Sequence, residues 1–115
     1  MNNNAADHKP GVPPNFIEPR DLGDRPWGQE TLLCHVTGKF MMKKLFIKKG
    51  SKGGLQYHRF KDEAGILLSG KMIVRFEGDD KMLLEKVLGP GDVFHFPAGV
   101  VHQEEAIEDC LIIEC

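Results

Sequence analysis

From residue 31 onward the apolar residues come in short runs of three to seven, each closed by glycine, proline or a charged turn. No stretch keeps an apolar residue every third or fourth position for three turns, so the 3.6-residue period of an amphipathic helix is missing. The pattern predicts strands at 31–36, 40–48, 55–58, 65–68, 72–77, 82–88, 93–96, 100–104 and 110–114. Gly38, Gly50, the Gly53-Gly54 pair, Gly70, Gly78-Asp79-Asp80, Gly89-Pro90-Gly91 and Pro97-Ala98-Gly99 fall between them, where turns are needed. Nine short strands without a helix present many unpaired edges, and a closed or two-sheet barrel is the architecture that removes them. The reading is therefore an all-β barrel of antiparallel strands.

Residues 1–26 break this pattern. They hold five of the seven prolines and three consecutive asparagines, which resist packing and predict an N-terminal arm ahead of a barrel domain at 27–115. A chain of 115 residues has material for one core only. The last apolar run, CLIIEC, reaches the final residue, so that either the end is tucked into a sheet or the natural protein continues. With 15 basic against 17 acidic residues there is no electrostatic footprint for nucleic acid or an anionic membrane. The first residues lack the basic cluster and apolar stretch of a secretory leader, and no run reaches spanning length, so a cytoplasmic protein is expected. Cys34, Cys110 and Cys115 have neither zinc-finger nor redox-motif spacing and read as plain thiols of a reducing compartment.

The chemistry gathers in two places. In GLQYHRFKDEAGILLSG, residues 54–70, strand alternation puts Gln56 and His58 on one face and Leu55 and Tyr57 on the other. The polar connection 59–62 then lets Glu63 return to the same neighbourhood. The second place is GPGDVFHFPAGVVHQ, where a tight Pro97-Ala98-Gly99 turn precedes His102. Taken singly, each of these residues is an ordinary polar side chain at a strand end. With the two hairpins face to face, two imidazoles, a carboxylate and an amide oxygen converge on one divalent ion and leave coordination positions open, as a catalytic site requires. His95, between Phe94 and Phe96, is a candidate proton carrier beside that ion, and Lys43 a candidate contact for an anionic substrate group.

These residues also carry a resemblance. Gly50-x5-Gln56-x-His58-x4-Glu63-x6-Gly70 resembles the first motif of the cupin superfamily, with glutamine in place of its first histidine. Gly91-x5-Pro97-x-Gly99-x2-His102 resembles the second, with Ala106 where asparagine is usual. Gln-x-His, together with Arg25-Pro26-Trp27-Gly28 and FMMKKLFIKKG, is similar to the cupin domain of mannose-6-phosphate isomerases; Arg59 and Phe60 replace histidines of that pattern. The resemblance implies a jelly-roll barrel holding one divalent metal (Zn, Mn, Fe, Ni or Co) on Gln56, His58, Glu63 and His102. It further implies a sugar or sugar-phosphate substrate, isomerised by proton transfer through an enediol. Two other classes share the ligand set: iron- or manganese-dependent dioxygenases, oxidases and decarboxylases of small organic acids, and non-catalytic ligand-binding cupins. A small barrel with an extended arm also offers an edge to a second copy, and a homodimer is expected.

Overall fold

The computed structural model describes residues 8–53 and 59–115, and every regular element among them is a strand. The strands are β1 (Arg20–Arg25), β2 (Gly28–Val36), β3 (Phe40–Ile47), β4 (Glu63–Ser69), β5 (Met72–Glu77), β6 (Leu83–Leu88), β7 (Val93–Phe96), β8 (His102–Ala106) and β9 (Cys110–Glu114). They form a six-stranded sheet in the order β1-β2-β3-β9-β4-β7 and a three-stranded sheet in the order β6-β5-β8. All pairings are antiparallel, and the all-β jelly-roll barrel expected from the pattern is what the chain forms. The run predicted at 55–58 lies outside the described residues. Among the described residues no helix is long and apolar enough to cross a membrane.

Several elements differ from the sequence reading: β2 begins at Gly28 rather than 31 and β4 spans Glu63–Ser69 rather than 65–68. β1 falls inside the stretch read as an arm: RDLGDR has no apolar alternation and is held as an edge strand by pairing with β2, with a register shift between Asp21 and Asp24. β8 is displaced toward the C-terminus, from the expected 100–104 to His102–Ala106, because Val100 is spent closing the turn by donating its amide to the Pro97 carbonyl.

The core lies between the inner faces of the two sheets. Leu67, Met72, Ile112, Phe94 and Phe96 are buried there with Val74, Leu88, Ala106 and Cys110. Full burial of Leu67 or Ile112 stabilises the fold by about 1.5–3 kcal/mol each. CLIIEC is not a free end: β9 sits between β3 and β4, with Leu45 opposite Ile112 on one side and Leu67 opposite Ile112 on the other. Two glycines, Gly70 of the first motif and Gly65 in β4, have steric reasons. Gly70 has a φ of +96°, and a Cβ there would collide with the Asp109 carbonyl oxygen. A Cβ on Gly65 would come within 2.5 Å of the Phe94 ring and 2.8 Å of the Ile113 carbonyl oxygen.

Candidate active site

The facing of β8 decides which of its side chains reach the interior. Gln103 and Glu105 point outward: Arg75 ion-pairs with Glu105 at 2.9 Å and donates to Gln103 at 3.5 Å, while Gln103 donates to the Gly53 carbonyl at 2.7 Å. His102, Glu104 and Ala106 therefore point inward. The segment that opens the first motif runs along the same strand. Gly50 donates to the Ala106 carbonyl, Ala106 to that of Ser51, and Gly53 to that of Glu104, at 2.8, 2.9 and 3.0 Å. Residues 50–53, which lead to Gln56 and His58, are thereby docked on the strand that carries His102.

His102 is 1% exposed and stacks on Phe96 with ring centroids 4.1 Å apart and 16° between planes. Its Nδ1 is 3.2 Å from the Val100 carbonyl oxygen. A carbonyl only accepts, so Nδ1 carries a proton toward Val100, the usual arrangement behind a metal-bound histidine. Glu63 Oε2 is 4.0 Å and Glu104 Oε1 3.9 Å from that Nε2. Both distances exceed a hydrogen bond and are about the sum of two metal–ligand bonds.

A cavity of about 370 Å³ opens beside these groups. Glu63, Glu104 and Glu114 supply its acidic part, Leu45, Ile47, Met72 and Ala106 its apolar wall, and Trp27, Lys52 and Lys61 are among its other lining residues. Glu114 arrives from β9 opposite Gly65, one inward position from Glu63. Its pKa is pushed up to about 8, first by burial, then by its hydrogen bond with Glu63 and by the charges of Glu63 and Glu104, with Lys61 opposing. Burial, and next the charge of Glu63, push Glu104 up to about 7. The three carboxyl groups repel one another when charged, and burial adds to that cost, which is why Glu104 and Glu114 hold protons near neutrality.

The structure thus brings together Glu63 and His102 of the four expected ligands. Gln56 and His58 lie outside the described residues. Among the described residues no three His, Cys, Asp or Glu side chains are grouped so as to hold a metal by themselves. His95 is on the outer surface, 54% exposed, with Nε2 3.1 Å from Asp62 Oδ2; Asp62 also accepts from the Ala98 amide at 2.9 Å. Lys43 donates to Glu30 at 2.6 Å, and the lysines that line the cavity are Lys52 and Lys61. Glu104 and Glu114 were not singled out from the sequence. The signal was present: each stands on the inward parity of its strand, Glu104 two residues from His102 and Glu114 two from Ile112.

Comparison with known proteins adds the following. The family model described as a cupin domain matches residues 45–113. The chain is 30% identical over 93 residues to the germin-like protein subfamily T member 3 of Arabidopsis thaliana, covering 81% of this chain and 41% of that protein. It therefore spans less than half the length of that relative. The structure of KdgF from Halomonas sp. superimposes with a TM-score of 0.70 at 27% identity, over 82% of this chain and 81% of the other. An RmlC-like cupin from Shewanella frigidimarina gives a TM-score of 0.67 at 25% identity, over 84% and 79% of the two chains.

Proposed function

The chain belongs to the cupin domain family, and on that premise we propose that it is a metal-dependent enzyme acting on a small polar substrate, a sugar or sugar phosphate, by proton transfer of the aldose–ketose isomerase type. The observation that carries this reading is the placing of Glu63 and Glu104 at 4.0 and 3.9 Å from one buried imidazole nitrogen, at the edge of a 370 Å³ cavity with a third carboxylate, Glu114. Gln56, His58, Glu63 and His102 are the ligand set that the two motifs supply, and the donor types suit a borderline or hard divalent ion. Such an ion supplies Lewis acidity toward a carbonyl and its neighbouring hydroxyl.

The remaining chemistry falls to the chain's own side chains. Glu104 and Glu114, with pKa values raised to about 7 and about 8 in the metal-free protein, are the titrating carboxyls of the cavity and the groups placed for general acid–base catalysis. Glu104 is the better placed to take a proton from a substrate carbon, because its carboxylate faces the same nitrogen as Glu63. Lys52 and Lys61 can hold an anionic substituent. Trp27 offers an apolar surface to a ring, and Leu45, Ile47 and Met72 exclude water from the site. The similarity of Gln56-x-His58 and of the stretch before it to mannose-6-phosphate isomerases supports the carbohydrate class.

Incubation of metal-loaded protein with a panel of sugars and sugar phosphates in deuterated water, followed by NMR, tests the reaction type. Isomerisation by this route exchanges a carbon-bound hydrogen with solvent in the wild type and not in Glu104→Gln. Consumption of oxygen with small organic acids, without such exchange, would replace the proposal by oxidative chemistry.

A further inference from the structure

Glu63 opens β4 and His102 opens β8, which the turn after β7 leads into, so the separation of the two side chains depends on how that turn is tied to the start of β4. Backbone pairing ends there: the last pair of the β4–β7 ladder is Glu63 with Phe96. Beyond it the chain bends through Pro97-Ala98-Gly99, and the Val100 amide closes the bend on the Pro97 carbonyl. The amide of Ala98, inside this turn, goes to a side chain from the other motif. It donates to Asp62 Oδ1 at 2.9 Å.

Asp62 is the neighbour of Glu63 in sequence, and Val100, at the end of the turn, has its carbonyl oxygen 3.2 Å from His102 Nδ1. These contacts close a ring. It runs from Glu63 through Asp62 to Ala98, along the turn to Val100, across to the His102 imidazole, and back to Glu63 over the 4.0 Å between Nε2 and Oε2. Phe96 braces the same two residues from inside, opposite Glu63 in the ladder and stacked on the His102 ring. Within this ring Asp62 is the link made neither by ladder nor by core packing. Its second oxygen, Oδ2, lies 3.1 Å from His95 Nε2, which orients the carboxylate from the outer surface. Asp62 and His95 are both exposed, and surface pairs of this kind add little to overall stability. What this one fixes is the spacing of two groups that an ion would join.

We propose that Asp62 is a positioning residue of the metal site: by holding the Ala98 amide it sets the separation of Glu63 from His102, and without it the site binds a divalent ion more weakly. The inference rests on the metal-dependent function proposed above and adds to it a residue that acts through Glu63 and His102 from the outer surface. The contact with His95 is secondary, because the bond to Ala98 does not depend on it.

Calorimetric titration of the chelator-treated full chain with Mn²⁺ and, in parallel, with Zn²⁺ tests the assignment, with circular dichroism to establish that each variant is folded. Asp62→Ala weakens the affinity by about 10–100-fold, the usual effect of removing a group that orients a metal ligand. Asp62→Asn keeps an oxygen for the Ala98 amide and stays within about threefold of the wild type, as does His95→Ala. Asp92→Ala is the control. Asp92 makes the same kind of exposed bond at the other end of β7, accepting from the Gly89 amide at 2.8 Å, and its loss leaves the affinity unchanged. Wild-type affinity in Asp62→Ala overturns the inference and leaves the proposed function standing, and so does an equal loss in Asp92→Ala or a failure of Asp62→Asn to restore binding. A wild type that binds neither ion overturns the inference and the proposed function together.

Discussion

His102 and Glu104 stand two residues apart on one strand, and the Nε2 of the first is 3.9 Å from Oε1 of the second. Strand alternation makes this pairing unavoidable once β8 faces its odd-numbered residues toward Arg75. The second motif therefore sends two side chains to the interior side by side, an imidazole and a carboxylate, which the proposed function assigns to holding an ion and to moving a proton.

The two groups separate on substitution. Glu104→Gln keeps the shape and removes the titrating group, so metal content stays at the wild-type level while turnover falls by about 10²–10⁴-fold. Elemental analysis alongside a rate measurement checks this. Loss of metal in Glu104→Gln would make Glu104 a ligand instead.

The metal-free protein should lose stability as pH rises. Glu104 and Glu114 have folded pKa values of about 7 and about 8, above their ordinary 4.5, so the folded state binds more protons than the unfolded state between those limits. The derivative of unfolding free energy with pH is then negative: their favourable protonated forms are fully present below about 4.5 and are lost as pH passes about 7 and 8. Thermal unfolding in chelator from pH 5 to 8.5 should show a falling midpoint, and a divalent metal should oppose the fall. A midpoint that rises across this range would contradict the raised pKa values.

Gly70→Ala should destabilise the fold by about 1–3 kcal/mol or more, since it forces a left-handed conformation on alanine. It also drives the Cβ against the Asp109 carbonyl. Urea denaturation measures this, and a loss below half a kcal/mol would mean that the turn yields.

His95 lies outside the cavity in contact with Asp62, so His95→Ala should leave metal content unchanged and turnover within about twofold, far from the loss that removal of a general acid or base causes. A hundredfold loss of rate would return His95 to the site.

Most of the strand plan was legible because turn residues bracket the short apolar runs, and the positions of β3, β5, β7 and β9 follow directly from those runs. β1 was hidden because an edge strand needs no apolar face, only backbone pairing. The approach of Glu63 to His102 was legible because the two motifs place them at strand ends that come together once the hairpins face each other. Glu104 and Glu114 were not, since an acidic residue on a half-apolar strand reads as solvent-facing until the strand's parity is known. His95 misled for the opposite reason: Phe94 and Phe96 take the inner positions, and alternation sends the histidine between them outward.

In the proposed site one cation is held jointly by the two motif hairpins. Elemental analysis of protein purified without a metal-affinity tag should find about one equivalent of a divalent metal in the wild type and little in His102→Ala. A wild type without metal, or a His102→Ala variant that keeps its full equivalent, would contradict it.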